Sequence, residues 1–356
     1  MKAQIVAVDL FCGVGGLTHG LTQANIDVRL GVDIDPTCAY PYEANNRARF
    51  LGKSVEDLRA RELESALGSN GVRLIAGCAP CQPFSTYRQK SGKTSDHRWT
   101  LLRTFSRRIL EIEPDLVTME NVPGLANQPV FHEFVKSLEA TGYHVSSEVV
   151  DCAAYGVPQE RMRLVVLASK FGSPQLLRPA EMNCRRRSVA NAIRRLPRVS
   201  AGGACDSDAL HCAAGLSPIN LKRLRASVPG GTWRDWPRSL VAQCHVKQSG
   251  QRYQSVYGRM RWSEAAPTIT TQFYNFGSGR YGHPAQARAI TLREGAILQS
   301  FPRNYRFVRP GDRPSLTAIG RLIGNAVPVK LGKVIGVSLL RHIKNVRRPR
   351  YLSRVT

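Results

Sequence analysis

The segment Gly77-Cys78-Ala79-Pro80-Cys81-Gln82-Pro83-Phe84-Ser85 holds a Cys-x-x-Cys pair, a spacing that can serve three chemistries. A redox pair sits at a helix start and cycles between dithiol and disulfide. A zinc site needs a second pair of ligands at suitable spacing. Cys205, Cys212 and Cys244 are too far apart in the chain to supply one, so no metal is expected. The third chemistry is nucleophilic. Pro80 and Pro83 stiffen the loop around Cys81, and a rigid cysteine at a strand end, with backbone donors nearby, suits a thiol of lowered pKa. Cys81 is then the reactive residue and Cys78, on the strand side, a small buried one. On this reading Cys78→Ala keeps most activity and Cys81→Ala abolishes it, whereas a redox pair requires both.

Three further clusters could carry chemistry. Asp9-Leu10-Phe11-Cys12-Gly13-Val14-Gly15-Gly16-Leu17 follows a short apolar run. Glycines there permit a tight turn and bring a ligand close to a helix N-terminus, although a turn of this kind serves structure as readily as binding. A second apolar run ends in Asp33. A carboxylate placed there can take both hydroxyls of a ribose or cap a helix. Met119-Glu120-Asn121-Val122-Pro123 closes another run, where a partly desolvated carboxyl can act as an acid or cap the next helix. Gln159-Glu160-Arg161-Met162-Arg163 leads into a further run, and strand alternation puts Arg161 and Arg163 on one side.

Taken in chain order, from 9–17 through 77–85 and 119–123 to 159–163, the four clusters resemble the DNA cytosine-5 methyltransferases of bacterial type. The resemblance continues through Arg288-Ala289-Ile290-Thr291-Leu292-Arg293-Glu294, Leu298-Gln299-Ser300-Phe301-Pro302 and Gly324-Asn325-Ala326-Val327-Pro328. It spans residues 9 to 328 except the middle of a basic stretch. It implies S-adenosylmethionine as methyl donor, held by Phe11, Gly13, Val14, Gly15, Asp33, Ile34, Asp57, Pro80, Leu101, Asn325 and Val327. It implies Cys81 as nucleophile, Glu120 as the acid on the base, and Arg161 and Arg163 as a cationic clamp. Gln82, Ser85, Gln159, Thr270 and Thr271 would face the DNA. The polar stretch 89–98, with Gly92, reads equally as a loop closing over the DNA or as an ordinary exposed loop. Three positions depart from the pattern: Cys12 replaces a commoner small residue, Asp33 a frequent Glu, and Ile34 a frequent aromatic. None removes a catalytic group.

The elements that must position these residues are legible in outline. Apolar runs at 5–10, 28–32, 72–76, 116–119, 145–150 and 163–168 read as strands, and stretches from about 17 and over 101–110 as helices. Alternating strands and helices predict an α/β fold with a doubly wound, mostly parallel sheet, whose ligands sit at the carboxyl ends of the strands. From Arg178 to Arg280 there are 17 Lys and Arg against five Asp and Glu, in a Gly- and Pro-rich texture with weak periodicity. The expected layout is therefore a catalytic domain over 1–175, completed by 318–356, and a smaller, irregular, basic target-recognition domain over 176–317. A closing helix near 334–342 should pack beside the first Gly-rich turn.

The chain has 356 residues, 42% hydrophobic, with 51 basic and 26 acidic residues, a formal charge of +25. That excludes a disordered chain and points to a polyanionic partner more readily than to a small neutral substrate, although free use of Arg alone gives the same charge; the resemblance makes that partner double-stranded DNA. No apolar run reaches membrane-spanning length. Nine cysteines without a regular framework fit a reducing, cytoplasmic setting. The expected protein is a monomer that can travel with a restriction endonuclease. Rival readings are a transfer-RNA methyltransferase of the same fold and a degenerate DNA binder. The size of the basic insert weighs against the first, and the retained Cys81, Glu120, Arg161 and Arg163 against the second.

Overall fold

The computed structural model describes residues 4–80 and 99–346. The expected site residues Cys81, Gln82 and Ser85, the expected loop 89–98 and the basic tail beyond 346 lie outside the described residues. The chain divides into two compact units. One comprises Met1–Asp151, Met162–Cys184 and Val329–Thr356; the other comprises Cys152–Arg161 and Arg185–Pro328.

In the first unit, seven strands form one sheet: β1 (Ile5–Leu10), β2 (Asp27–Asp33), β3 (Arg49–Gly52), β4 (Val72–Gly77), β5 (Leu116–Asn121), β6 (His144–Asp151) and β7 (Met162–Ser169). They lie in the order β3-β2-β1-β4-β5-β7-β6. Pairing is parallel from β3 through β5. β7 is antiparallel to both of its neighbours. The fold is thus the mostly parallel α/β sheet that the sequence predicts. β1 and β5 are buried along their whole length, as strands covered on both faces must be. β3 escapes the apolar pattern because it is a four-residue edge strand with no buried position. The antiparallel hand of β7 has a plain cause. Parallel neighbours need a crossover of about a dozen residues or more, usually a helix, and the link between β6 and β7 carries only the short 3-10 turn Cys152–Tyr155.

Helices α1 (Gly16–Gln23), α2 (Ala60–Leu67), α3 (Thr100–Ile112) and α4 (Pro129–Ala140) flank this sheet. α3 buries Leu102, Phe105, Ile109 and Ile112, one stripe at helical spacing. α4 begins with Pro129, which gives up no intrahelical bond at that position. Phe105 and Phe134 meet across the two helices with ring centroids 5.9 Å apart. Their apolar faces join those of β4 and β5 in one core cluster. Elsewhere in the unit, α1 touches the C-terminal helix Val329–Val346 backbone to backbone. A Cβ on Gly20 would lie 2.3 Å from the Val329 carbonyl oxygen and 2.5 Å from Lys333 N. The closing helix therefore packs directly behind the Gly-rich turn that precedes α1.

One sequence expectation needs correcting. By length and composition alone, the 31-residue stretch Leu316–Val346 could span a membrane. Inside the protein, however, 78% of its most apolar window is buried, and the helix is interrupted between Asn325 and Val329. It is a core element.

The second unit has little regular structure beyond the ribbon Ala204–Cys205 with Asp208–Cys212 and several short helices. Side-chain bonds hold its irregular backbone. Arg288, fully buried, makes a two-pronged pair with Glu294 at 2.6 and 2.8 Å. Glu294 also caps the helix Leu292–Leu298 with Thr291. A second cluster gathers Leu224, Trp233, Trp236, Val256, Phe276 and Ala289.

Gly20→Ala should lower the thermal unfolding midpoint, at a cost of about 2 kcal/mol for overpacking against backbone that cannot move aside. Alanine's better helix propensity acts in the opposite direction and is smaller. Gly215→Ala, where an added methyl meets open space, should leave the midpoint unchanged in the same calorimetric scan.

Candidate active site

Strand order reverses between β1 and β4, so the loops that leave their carboxyl ends diverge and leave a crevice. On the β1 side the backbone turns sharply. Phe11 holds φ +59°, a left-handed conformation costly for a residue with a side chain, and Gly13 and Gly15 follow at +52° and +85°. A Cβ added at Gly13 would meet nothing within 4 Å, so the space over this turn is open. Asp33, at the end of β2, accepts from Gly13 N at 2.9 Å and from Asp35 N at 2.9 Å. Ile34 next to it is 71% exposed, unusual for so large an apolar side chain. Phe11, Gly13, Val14, Gly15, Asp33 and Ile34 are thereby collected at the ends of β1 and β2. Asp57 is exposed at the end of the turn Val55–Asp57, Leu101 is half-buried in the first turn of α3, and Pro80 is exposed.

On the other side of the crevice, Glu120 is the penultimate residue of β5, with 3% of its surface exposed. Cys78 Sγ donates to its Oε2 at 3.0 Å. Arg163 Nε lies 2.8 Å from its Oε1. That contact is an ion pair set off the hydrogen-bond line, and Oε1 has no hydrogen bond of its own. Asn121, the next residue, donates through Nδ2 to the Ala79 carbonyl at 2.9 Å. Cys78 N donates to the Leu10 carbonyl at 3.2 Å. The root of the segment that continues into Cys81 is therefore tied to β1 by backbone and to β5 by two side chains. Burial, followed by the negative field of Glu120, pushes the Cys78 thiol well above its ordinary range, so it stays a thiol and a donor. Cys78 and Asn121 were not singled out as site residues from the sequence. The Asn beside Glu120 was the available signal for one of them, and nothing in the sequence marks the thiol's partner.

In the second unit, Arg161 is 4% exposed. Its Nη1 donates to the Ile269 carbonyl at 3.0 Å, and its Nη2 lies 3.2 and 3.4 Å from the carbonyls of Gly324 and Ala326. Gln159 is fully buried. Its amide nitrogen reaches Leu298 O and Gln299 Oε1, and its oxygen accepts from Ile269 N at 2.9 Å. The structure thus uses Gln159 as an internal strut, in place of the surface contact expected of it. Arg161 and Gln299 satisfy carbonyls at the end of the helix Leu316–Asn325, and Gln159 the last carbonyl of the helix Leu292–Leu298; these groups would otherwise lack partners. At Gly324 the helix end meets the 270–271 backbone so closely that a Cβ would lie 2.4 Å from Thr270 C. Thr270 and Asn325 are exposed, Thr271 is half-buried, and Val327 is buried.

With the geometry in view, the chain was compared with known proteins. Residues 5–341 match the family described as C-5 cytosine-specific DNA methylase. The chain is 50% identical to the type II methylase M.HgiDII of Herpetosiphon aurantiacus, over 95% of this chain and 96% of that protein. It is 31% identical to the type II methyltransferase M.PspPI of Psychrobacter sp. (strain TA137), over 94% of this chain and 78% of that one. Among solved structures, the methyltransferase EhMeth of Entamoeba histolytica superposes with a TM-score of 0.67 at 17% identity, covering 96% of this chain and 99% of that one. That likeness is one of fold.

Asp9, in β1 just ahead of the Gly-rich turn, is 1% exposed. Its Oδ2 accepts from Thr18 Oγ1 at 2.6 Å, and its Oδ1 has no partner. Burial pushes its pKa up from 3.8 to about 7 against the lowering effect of the Thr18 bonds, with Asp33 adding a smaller push upward. A carboxyl whose folded pKa is raised contributes stability that is complete below its unfolded pKa and is lost as pH rises through the folded one. The gap in thermal midpoint between Asp9→Asn and the unaltered protein should therefore widen by at least about 4 °C from pH 5 to pH 8, with the Asn variant the more stable at pH 8. A gap independent of pH would mean that Asp9 stays ionised.

Proposed function

The chain belongs to the C-5 cytosine-specific DNA methylase family, and on that premise we propose how it works. It methylates carbon 5 of a cytosine flipped out of one short sequence in double-stranded DNA, through a covalent adduct with Cys81. The observation that carries this reading is the buried Glu120 at the end of β5. Arg163 lies 2.8 Å away, and Cys78 ties the carboxylate to the segment that leads into Cys81.

The first unit has the features that a nucleoside-like cofactor requires: an open glycine turn, a carboxylate at the end of the neighbouring strand and an exposed apolar side chain beside it. Phe11, Gly13, Val14, Gly15, Asp33, Ile34, Asp57, Pro80 and Leu101 would hold S-adenosylmethionine there. For Asn325 and Val327 the same assignment rests on the resemblance alone. When bound, the cofactor supplies a methyl group on a cationic sulfur, an electrophile that only an electron-rich carbon can attack.

Carbon 5 of cytosine is a poor nucleophile until the ring is activated. A Cys81 thiolate adding to carbon 6 forms a sulfur–carbon bond and pushes the electron pair of the carbon 5–carbon 6 double bond into the ring, making carbon 5 enamine-like. Negative charge builds on the ring as it does so. Glu120 in its acid form donates to ring nitrogen 3, and Arg163, swinging from Glu120 to the ring carbonyl oxygen, offsets the rest. Arg161 acts indirectly, holding the backbone around Ile269 and Gly324 in place. After methyl transfer, loss of the carbon 5 proton to a base expels Cys81 and restores aromaticity. A base stacked in a duplex cannot meet the thiolate on its face, so the cytosine must leave the stack. Gln82, Ser85, Thr270 and Thr271 are proposed to contact the DNA, and the basic second unit to read its sequence.

Bisulfite sequencing of DNA from cells that lack cytosine methylation and express this protein tests the reading. One short motif methylated throughout is the expected result. Unmethylated DNA, with a folded protein that binds S-adenosylmethionine, would move the substrate to RNA. In the same assay Cys81→Ala should leave no methylation, and in single-turnover transfer by the purified protein Glu120→Gln should be slower by about 100-fold or more.

A further inference from the structure

We propose that Cys78 is a positioning residue for Glu120: its thiol occupies Oε2 and so reserves Oε1 for the target base. The inference rests on the role given to Glu120 above. A glutamate at a strand end turns about three side-chain bonds, and each of its oxygens could face the base. The two are not equivalent here. Oε2 takes the Cys78 hydrogen bond at 3.0 Å. Oε1 has no hydrogen bond, only the off-line contact with Arg163 Nε at 2.8 Å. An incoming cytosine can therefore take Oε1, and Arg163 with it, without breaking a hydrogen bond to Glu120.

Cys78 is itself well placed to fix that choice. Its N–H is held by Leu10 O at 3.2 Å, and the adjoining Ala79 carbonyl by Asn121 at 2.9 Å. The thiol thus projects from a backbone anchored on both sides to the sheet. Its raised pKa keeps the proton on sulfur, so the bond always runs from thiol to carboxyl. A thiol is also a weak donor. It can orient the carboxyl without neutralising a group that must still exchange a proton with the base.

The test uses the full-length protein, a duplex oligonucleotide containing the methylated motif, and single-turnover methyl transfer alongside DNA binding and thermal midpoint. Cys78→Ala should slow transfer about fivefold to tenfold, the effect of one ordinary hydrogen bond and a larger loss than the sequence alone leads one to expect of a small buried residue. DNA affinity and midpoint should hardly change. Cys78→Ser, which restores a donor, should return to within about twofold of the unaltered rate. In a Glu120→Gln background, Cys78→Ala should cost nothing further, because a residue acting through Glu120 has nothing left to position. The inference is overturned if Cys78→Ala transfers at the unaltered rate. It is equally overturned if Ser is as slow as Ala, or if the loss persists undiminished beside Glu120→Gln. If Cys78→Ala does not fold, the comparison of Cys78→Ser in the two Glu120 backgrounds decides in its place. An unaltered protein that methylates no DNA would overturn the reading of the whole site, a result distinct from any of these.

Discussion

Burying an ionisable carboxyl with 3% of its surface exposed calls for a cation beside it, because an unpaired charge there would cost several kcal/mol. Arg163 supplies that cation, and it can do so only because β7 runs antiparallel to β5. In their register Glu120 faces Val165 and Asn121 faces Leu164, so the first residues of β7 arrive at the last residues of β5. In an all-parallel sheet the start of β7 would lie at the opposite edge, with Glu120 left alone. The hand of one strand is thus the constraint on which the site depends. It follows from a β6–β7 link with no helix long enough to carry a parallel crossover.

The reversal of strand order between β1 and β4 supplies the second requirement, room. The turn at Phe11–Gly15 leaves β1, and the segment at Cys78–Pro80 leaves β4. One backbone bond, from Cys78 N to Leu10 O, joins their roots at the crevice floor. The left-handed Phe11 is strain stored at that point, of order 1 kcal/mol or more. It is sustained by the rigidity around it: Phe11 packs on Phe105 at 6.4 Å, and Gly13 is pinned by Asp33. Behind the turn, α1 is locked to the C-terminal helix at Gly20. The β1 side of the crevice is therefore held in shape by the chain's own contacts.

How much of this was legible in the sequence depended on range. The central strands were readable because both of their faces are buried and their apolar runs are continuous; β1 matches its expected span at both ends. β3 was not, since an edge strand of four partly exposed residues has no such run. Motif order marked Glu120, Arg161 and Arg163, yet alternation suggested one shared face for the two arginines. The structure instead gives Arg163 to Glu120 and commits Arg161 to the carbonyls of Ile269, Gly324 and Ala326. That division depends on pairings more than a hundred residues apart, which no local pattern encodes. Asp9 and Cys78 were readable as motif members but not as a strained carboxyl and a bound donor, because burial and partners are properties of the folded chain.

Several polar groups at this site are paired with one another rather than left open. Asp33 holds Gly13, Glu120 holds Cys78 and stands against Arg163, and Asn121 holds Ala79. An open array of buried charges would collapse or draw in water, whereas partners that satisfy each other can be preorganised at little cost. Binding then becomes an exchange of partners. Exchange favours a ligand whose own donors and acceptors replace what it displaces, and it penalises one that leaves a buried group bare. In this arrangement the contact that lacks hydrogen-bond geometry is the pair between Arg163 and Oε1. An exchange there suits a base carrying both an acceptor nitrogen and a carbonyl oxygen: the carbonyl takes Arg163 in place of Oε1, and the nitrogen takes a proton carried on Oε1 in place of Arg163.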